Sequence, residues 1–212
     1  MIKPGNFLVL HGWQNRRPPG HWQRWLADEL SARGHTVRYP QLPDPDHPCL
    51  AQWISAIETD LAAMSPHQRV VIGHSLSCVA WLHLARTASA QLPVHRVLLV
   101  APPSRDFLLA EPALASFADP PRPSPATTGS ETAPLLICSD NDPYCPPDDY
   151  MEYSPAFTIN LIPGEGHFDA TAGYGDWPSL LRWCEDPRIS VGARRVAVLP
   201  PANRVSVVDA MD

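Results

Sequence analysis

The run Val70-Val71-Ile72-Gly73-His74-Ser75-Leu76-Ser77-Cys78 decides the fold. Three β-branched residues in a row favour a strand, Gly73 punctuates it, and the Leu- and Ala-rich stretch after Ser75 favours a helix. A serine at the apex of such a strand–turn–helix stands clear of the sheet. The first amides of the helix then point at the same spot. The pattern approaches Gly-x-Ser-x-Gly, the turn that exposes a nucleophilic serine, with Ser77 where the second glycine would stand. Taken alone, the nonapeptide fits equally well a buried strand entering a helix with a serine near its N-cap. The rest of the chain has to decide.

Upstream, Phe7-Leu8-Val9-Leu10 is continuously apolar, as a strand buried on both faces requires, and it ends in His11-Gly12-Trp13. A helix is expected from about His21 to Arg33, where Trp22, Trp25, Leu26 and Leu30 recur at helical spacing before Gly34. A short strand over Thr36 to Tyr39 and a helix over Leu50 to Met64 follow. Downstream, the helix after Ser75 runs to about Ala90. Further strands are expected at Arg96–Ala101, Leu135–Cys138 and Phe157–Ile162, a short helix near Pro147–Tyr153, and a last helix at Trp177–Cys184. Strands alternating with helices predict an α/β fold: a mostly parallel sheet with helices on both faces. Pro102 to Pro134 is proline-rich, with one short helical patch near Asp106 to Phe117, which leaves minimal or no cap. Residues 1–186 thus read as one compact domain. Residues 187–212 break the rhythm, alternating around Val191–Leu199 and Val205–Val208 on either side of Pro200-Pro201, and read either as an added hairpin or as a loose extension.

Composition narrows the class. A 212-residue chain that is 44% hydrophobic can bury the core of one such domain. Its net charge of −6, with no stripe of Lys or Arg, gives nucleic acid or an anionic membrane surface nothing to hold. Five cysteines, odd in number and without C-x-x-C spacing, suit a reducing compartment. The apolar run before His11 is short for a signal peptide, and no later stretch is long enough to span a bilayer. A soluble, cytoplasmic protein is the expectation.

Three residues fall at the carboxyl ends of three expected strands, in the chain order Ser75, Asp142, His167. Open α/β sheets carry their sites at that edge, and this order is the one used by α/β-hydrolases. A serine hydroxyl is a poor nucleophile until a base takes its proton; an imidazole does so, and a carboxylate on its other nitrogen fixes the tautomer. Asp142 is chosen over Asp140, which is nearer the strand, and over Asp169, which is too close in sequence to reach the far nitrogen of His167. The oxyanion would be met by the backbone amides of Leu76 and Trp13. Trp13 and Trp177 are expected at the rim as flat surfaces for a short acyl or aromatic group. His11 and His74 are expected to pack or hydrogen-bond beneath the site. No H-E-x-x-H spacing calls for a metal and no glycine-rich loop for a phosphate, so neither metal nor cofactor is expected.

His11-Gly12-Trp13 with Pro18-Pro19-Gly20-His21-Trp22, Ile72-Gly73-His74-Ser75-Leu76, Ser139-Asp140-Asn141-Asp142-Pro143-Tyr144-Cys145 and Gly166-His167-Phe168 followed by Gly173-Tyr174-Gly175-Asp176-Trp177-Pro178 together resemble the small serine hydrolases of the YdeN and retinoblastoma-binding-protein-9 family. The likeness runs from about Phe7 to Glu185. It implies a compact α/β-hydrolase fold with little or no cap, carboxylesterase-like activity, and Ser75, Asp142 and His167 in the catalytic places. Ser77, where the family usually has glycine, and the tail after Glu185 depart from it. The family's link to a tumour-suppressor protein does not carry over, because no Leu-x-Cys-x-Glu run occurs. The expected partner is a small ester. A binding module on a hydrolase fold and an acyltransferase are the competing readings.

Overall fold

In the computed structural model, residues 4–88, 94–120 and 129–193 are described. Six strands form one wholly parallel sheet in the order β2-β1-β3-β4-β5-β6: β1 Asn6–Leu10, β2 Thr36–Arg38, β3 Arg69–His74, β4 Arg96–Val100, β5 Leu135–Cys138 and β6 Thr158–Leu161. Each parallel pair needs a crossover, and helices supply most of them: α1 Trp22–Ala32, α2 Leu50–Ala62, α3 Leu76–Ala88, α4 Arg105–Ala110, α5 Pro147–Tyr150, with α6 Pro178–Glu185 following β6. Each element expected from the sequence within these residues is present, with ends shifted by a few residues.

Two cores lie on opposite faces of the sheet, because successive strand residues point to opposite sides. Leu8, Leu10, Val71, Leu99 and Leu136 face α2 and α3. Phe7, Val70, Ile72, Leu98 and Ile137 face α1 and α6. The register sets Leu10 beside Gly73 and His74 beside Val100, so the central strands end level and their loops meet at one edge.

Local chemistry fixes the helix ends. His21 caps α1 by accepting from the Gln23 amide at 3.3 Å, and Gly34, at φ 86°, turns the chain away after it. The buried Gln23 side chain donates to the Leu10 carbonyl at 2.7 Å, tying α1 to the end of β1. The segment after β4 contains α4 and a 3-10 turn at Pro112–Phe117, two short pieces at the edge of the sheet; residues 121–128 lie outside the described part.

The chain beyond Asp186 stays on the domain as far as it is described. Val191 is buried, its carbonyl accepts from Asn160 at 2.6 Å, and the Gly192 carbonyl accepts from Trp177 at 2.7 Å and Ser179 at 2.8 Å. The compact part therefore extends past residue 186. The expected hairpin or tail falls mostly on 194–212, outside the described residues.

Candidate active site

Ser75 sits alone between β3 and α3 with φ 56°, a left-handed backbone that a Cβ disfavours. Its amide donates to the Val100 carbonyl at 2.9 Å, which holds the turn against β4. The loop after β1 presses close: a Cβ on Gly12 would lie 2.8 Å from that of Ser75, so only glycine fits there. Ser77 is no defect in the turn. Its buried hydroxyl accepts from the His74 amide at 2.9 Å and lies 2.9 Å from the carbonyls of both Leu10 and His74, so it can stitch the turn to the end of β1.

His167 comes from the loop after β6, and that loop is held from below by the run after β5. Asp140 Oδ1 accepts from the Gly164 amide at 2.8 Å, Ser139 Oγ from Glu165 at 2.8 Å, and Asn141 Oδ1 from Gly166 at 2.7 Å. Asp142, the next residue, takes the imidazole itself, with Oδ1 and Oδ2 at 3.0 and 2.9 Å from Nδ1. The far nitrogen, Nε2, is 2.9 Å from Ser75 Oγ. The three residues singled out in the sequence thus form one hydrogen-bonded chain.

The Asp142 side chain is wholly buried. Besides His167 it accepts from the Tyr144 amide at 2.9 Å and from the Tyr150 hydroxyl at 3.2 Å. Burial, and then the nearby Asp142 charge, push the Tyr150 phenol up, which keeps it a donor. Sequence reasoning missed Tyr150. It lies in the polar run Pro147-Asp148-Asp149-Tyr150, and only the tertiary turn brings its hydroxyl to Asp142.

Three neutral imidazoles surround the site, His11 beneath its loops and His21 and His74 in the cleft lining. Burial lowers His11 to about 4, outweighing the Gly12 carbonyl that its Nδ1 meets at 2.8 Å; its Nε2 accepts from the Leu42 amide at 2.8 Å. Burial likewise lowers His21 to about 4, against the pull of Asp169. His74 is held well below its usual value by burial and by His167, and its Nε2 contacts the His167 carbonyl at 2.8 Å. The expectation that His11 and His74 bond beneath the loops is met. These shifts set a sign. Between pH 6.5 and about 4 the unfolded chain takes up protons on His11 and His21 that the native chain refuses, so stability present above pH 6.5 is lost as the pH falls to 4. Each contributes about 3 kcal/mol across that window. Urea melts from pH 7 to 4.5 are expected to lose several kcal/mol; a flat profile would show that neither ring is held neutral.

The chain opens on a cleft of about 440 Å³ lined by Ser75, His167, Trp13, Leu76, Phe107 and Tyr144 among others. Trp13 is at the rim as expected, half-buried, with its indole donating to the Asp46 carbonyl at 3.0 Å. Trp177 is not. It is fully buried, stacked on Phe168 at 5.4 Å and edge-on to Trp22 at 5.3 Å, beneath the site rather than at its mouth. The reason is its place just before α6, whose first turn faces the core shared with α1. Trp177 supports Phe168, the neighbour of His167, and touches no part of the cleft. Among the described residues, no group of three or more His, Cys, Asp or Glu side chains could hold a metal ion.

Known proteins share this fold. Similar solved structures include the ydeN gene product of B. subtilis, 20% identical with a TM-score of 0.70 over 84% of this chain and 95% of that one. A YdeN-like hydrolase from Pectobacterium atrosepticum is 25% identical, with a TM-score of 0.65 over 87% and 92% of the two chains. Est1E from Butyrivibrio proteoclasticus shares the fold at 14% identity and a TM-score of 0.56 over 79% and 81%. No curated protein sequence matches the chain. Residues 7–185 match the family described as serine hydrolase, and with that match over most of its length this α/β-hydrolase-fold chain belongs to the serine hydrolase family.

Proposed function

We propose that the protein is a carboxylesterase for small, short-acyl esters, with Ser75 as nucleophile, His167 as base and Asp142 as the carboxylate that orients it. The observation that carries this is the approach of Ser75 Oγ to within 2.9 Å of His167 Nε2 at the mouth of the cleft. His167 takes the serine proton as Oγ attacks the ester carbonyl, and Asp142 stabilises the imidazolium. The oxyanion is met by the amide of Leu76, in the first turn of α3 where helix amides lack intrahelical partners, and by that of Trp13. The imidazolium then protonates the departing alcohol, leaving an acyl-enzyme. Water, deprotonated by His167, releases the acid.

Short acyl groups follow from the walls. α4 and the 3-10 turn edge the cleft through Phe107 and Leu114. A further methylene contributes about 0.8 kcal/mol only where a wall can cover it. Across p-nitrophenyl esters kcat/KM is expected to peak near the butyrate and to fall by the octanoate. A steady rise through long chains would overturn the short-acyl reading. All five cysteines are unpaired, four of them buried, which supports a reducing, cytoplasmic location. A binding module that keeps an idle triad is separated by labelling: a fluorophosphonate probe that fails to modify Ser75 would favour it.

A further inference from the structure

The cleft straddles the edge of the sheet, and its two sides are chemically unlike. On the face of α2 and α3 its lining is apolar: Leu76 and Leu114 belong to that core, and Trp13 and Phe107 pack against it. Tyr144 extends this wall, with its ring 4.8 Å from Phe107 and 4.5 Å from His167. On the face of α1 and α6 the lining is mainly polar, with Pro18 and Ala170 set among the polar groups. It comes from the residues before α1 and from the loop after His167, whose Phe168 and Ala172 belong to or pack on that core. Asn15, His21, Asp169 and Thr171 form this wall.

The polar groups keep hydrogen-bonding capacity in hand. Asn15 uses its Oδ1 to accept from the Arg17 amide at 2.7 Å, and its amide nitrogen stands 3.5 Å from His21 Nε2, a long contact. Asp169 uses Oδ1 to accept from Thr171 at 2.6 Å and Ala172 at 2.8 Å, while its Oδ2 takes no hydrogen bond among the described residues. Burial raises the Asp169 carboxyl, but the hydrogen bonds from Thr171 and Ala172 outweigh it, and the group stays ionised at neutral pH. Arg16, exposed at the rim, is paired with Asp46. The unbalanced charge on this wall is therefore the Asp169 carboxylate.

Ester hydrolysis says which wall serves which half of the substrate. The alcohol leaves as His167 protonates it, and water must then occupy its place before the acyl-enzyme can be cleaved. A wall of hydrogen-bonding groups suits a position that holds alcohol and water in turn. An apolar wall suits the acyl group, which stays bound through both steps. We infer that the site takes esters of a small apolar acid with a hydroxylated alcohol, the acyl group lying on Trp13, Leu76, Phe107 and Leu114 and the alcohol on Asn15, His21, Asp169 and Thr171. This rests on the esterase reading above. Alcohols bearing a carboxylate or phosphate are disfavoured by Asp169.

Four esters test it on the intact protein: 2,3-dihydroxypropyl butyrate, propyl butyrate, O-butyrylglycolate, and the reversed ester propyl glycerate. Each kcat/KM is divided by the rate constant for hydroxide hydrolysis of the same ester, which removes intrinsic reactivity. Two new hydrogen bonds are expected to favour the dihydroxypropyl ester over the propyl ester about tenfold. The glycolate and the reversed ester are expected below both. Equal normalised rates for the first two, or the reversed ester ranking first, would overturn the assignment of the walls while Ser75 still reacted with a fluorophosphonate. If Ser75 is inert to the probe and no ester is cleaved, the esterase reading fails and takes this one with it.

Discussion

Ser75→Ala is expected to lower kcat/KM for p-nitrophenyl butyrate by at least about 10⁴-fold, with the thermal midpoint nearly unchanged. The size follows from what is removed: without Oγ no acyl-enzyme can form, and oriented donors alone sustain only a small residual rate over water. The fold should not notice. Apart from its contact with His167 Nε2, the hydroxyl makes no hydrogen bond among the described residues, and it opens on the cleft. Turnover within tenfold of the parent, with bulk contamination excluded by a second purification, would remove the proposed role of Ser75.

Asp142→Asn is expected to cost about 10³- to 10⁴-fold in kcat. The amide is nearly the same size, and its oxygen can still accept from the Tyr144 amide or the Tyr150 hydroxyl. What it cannot do is stabilise the imidazolium with a charge. If its NH₂ turns toward His167 it also forces the wrong tautomer, with the proton on Nε2 facing Ser75. Asp140→Asn is the matched comparison. Its Oδ1 only accepts from the Gly164 amide, which an asparagine oxygen can do equally, so a loss within tenfold is expected. A larger loss for the Asp140 variant would show that the loop, not the charge on Asp142, limits the rate.

The difference between those two aspartates shows where sequence reasoning ran out. Strand, turn and helix positions were legible because burial on a parallel sheet leaves a strong pattern: unbroken apolar runs for β1, β3 and β4, and three- or four-residue spacing in α1 and α2. Ser75, Asp142 and His167 were legible because each lies in the turn or loop after a strand and the sheet gathers strand ends at one edge. The work of Ser139, Asp140 and Asn141 as anchors for the His167 loop was not, since neighbours in one polar run look alike until β5 and β6 pair. Tyr150 stayed hidden for the same reason. Trp177 was misplaced because an indole suits a rim and a core equally well, and only the direction of the first turn of α6 decides. Ser77 was legible as a departure from the glycine pattern, but its bonding across to Leu10 depends on where β1 ends.

The backbone of Ser75 has a consequence for durability. Ser75, Ala101 and Phe168 are among the non-glycine residues at this edge that are held at positive φ, at 56°, 51° and 52°. Each such residue stores on the order of 1 kcal/mol that the surrounding packing must offset. At position 75 a glycine would release that cost, so Ser75→Gly should yield a sturdier protein than Ser75→Ala although neither can form an acyl-enzyme. Endurance and reactivity are then set against each other in a single residue: the strained backbone that presents the proposed nucleophile is one that a glycine would hold at less cost.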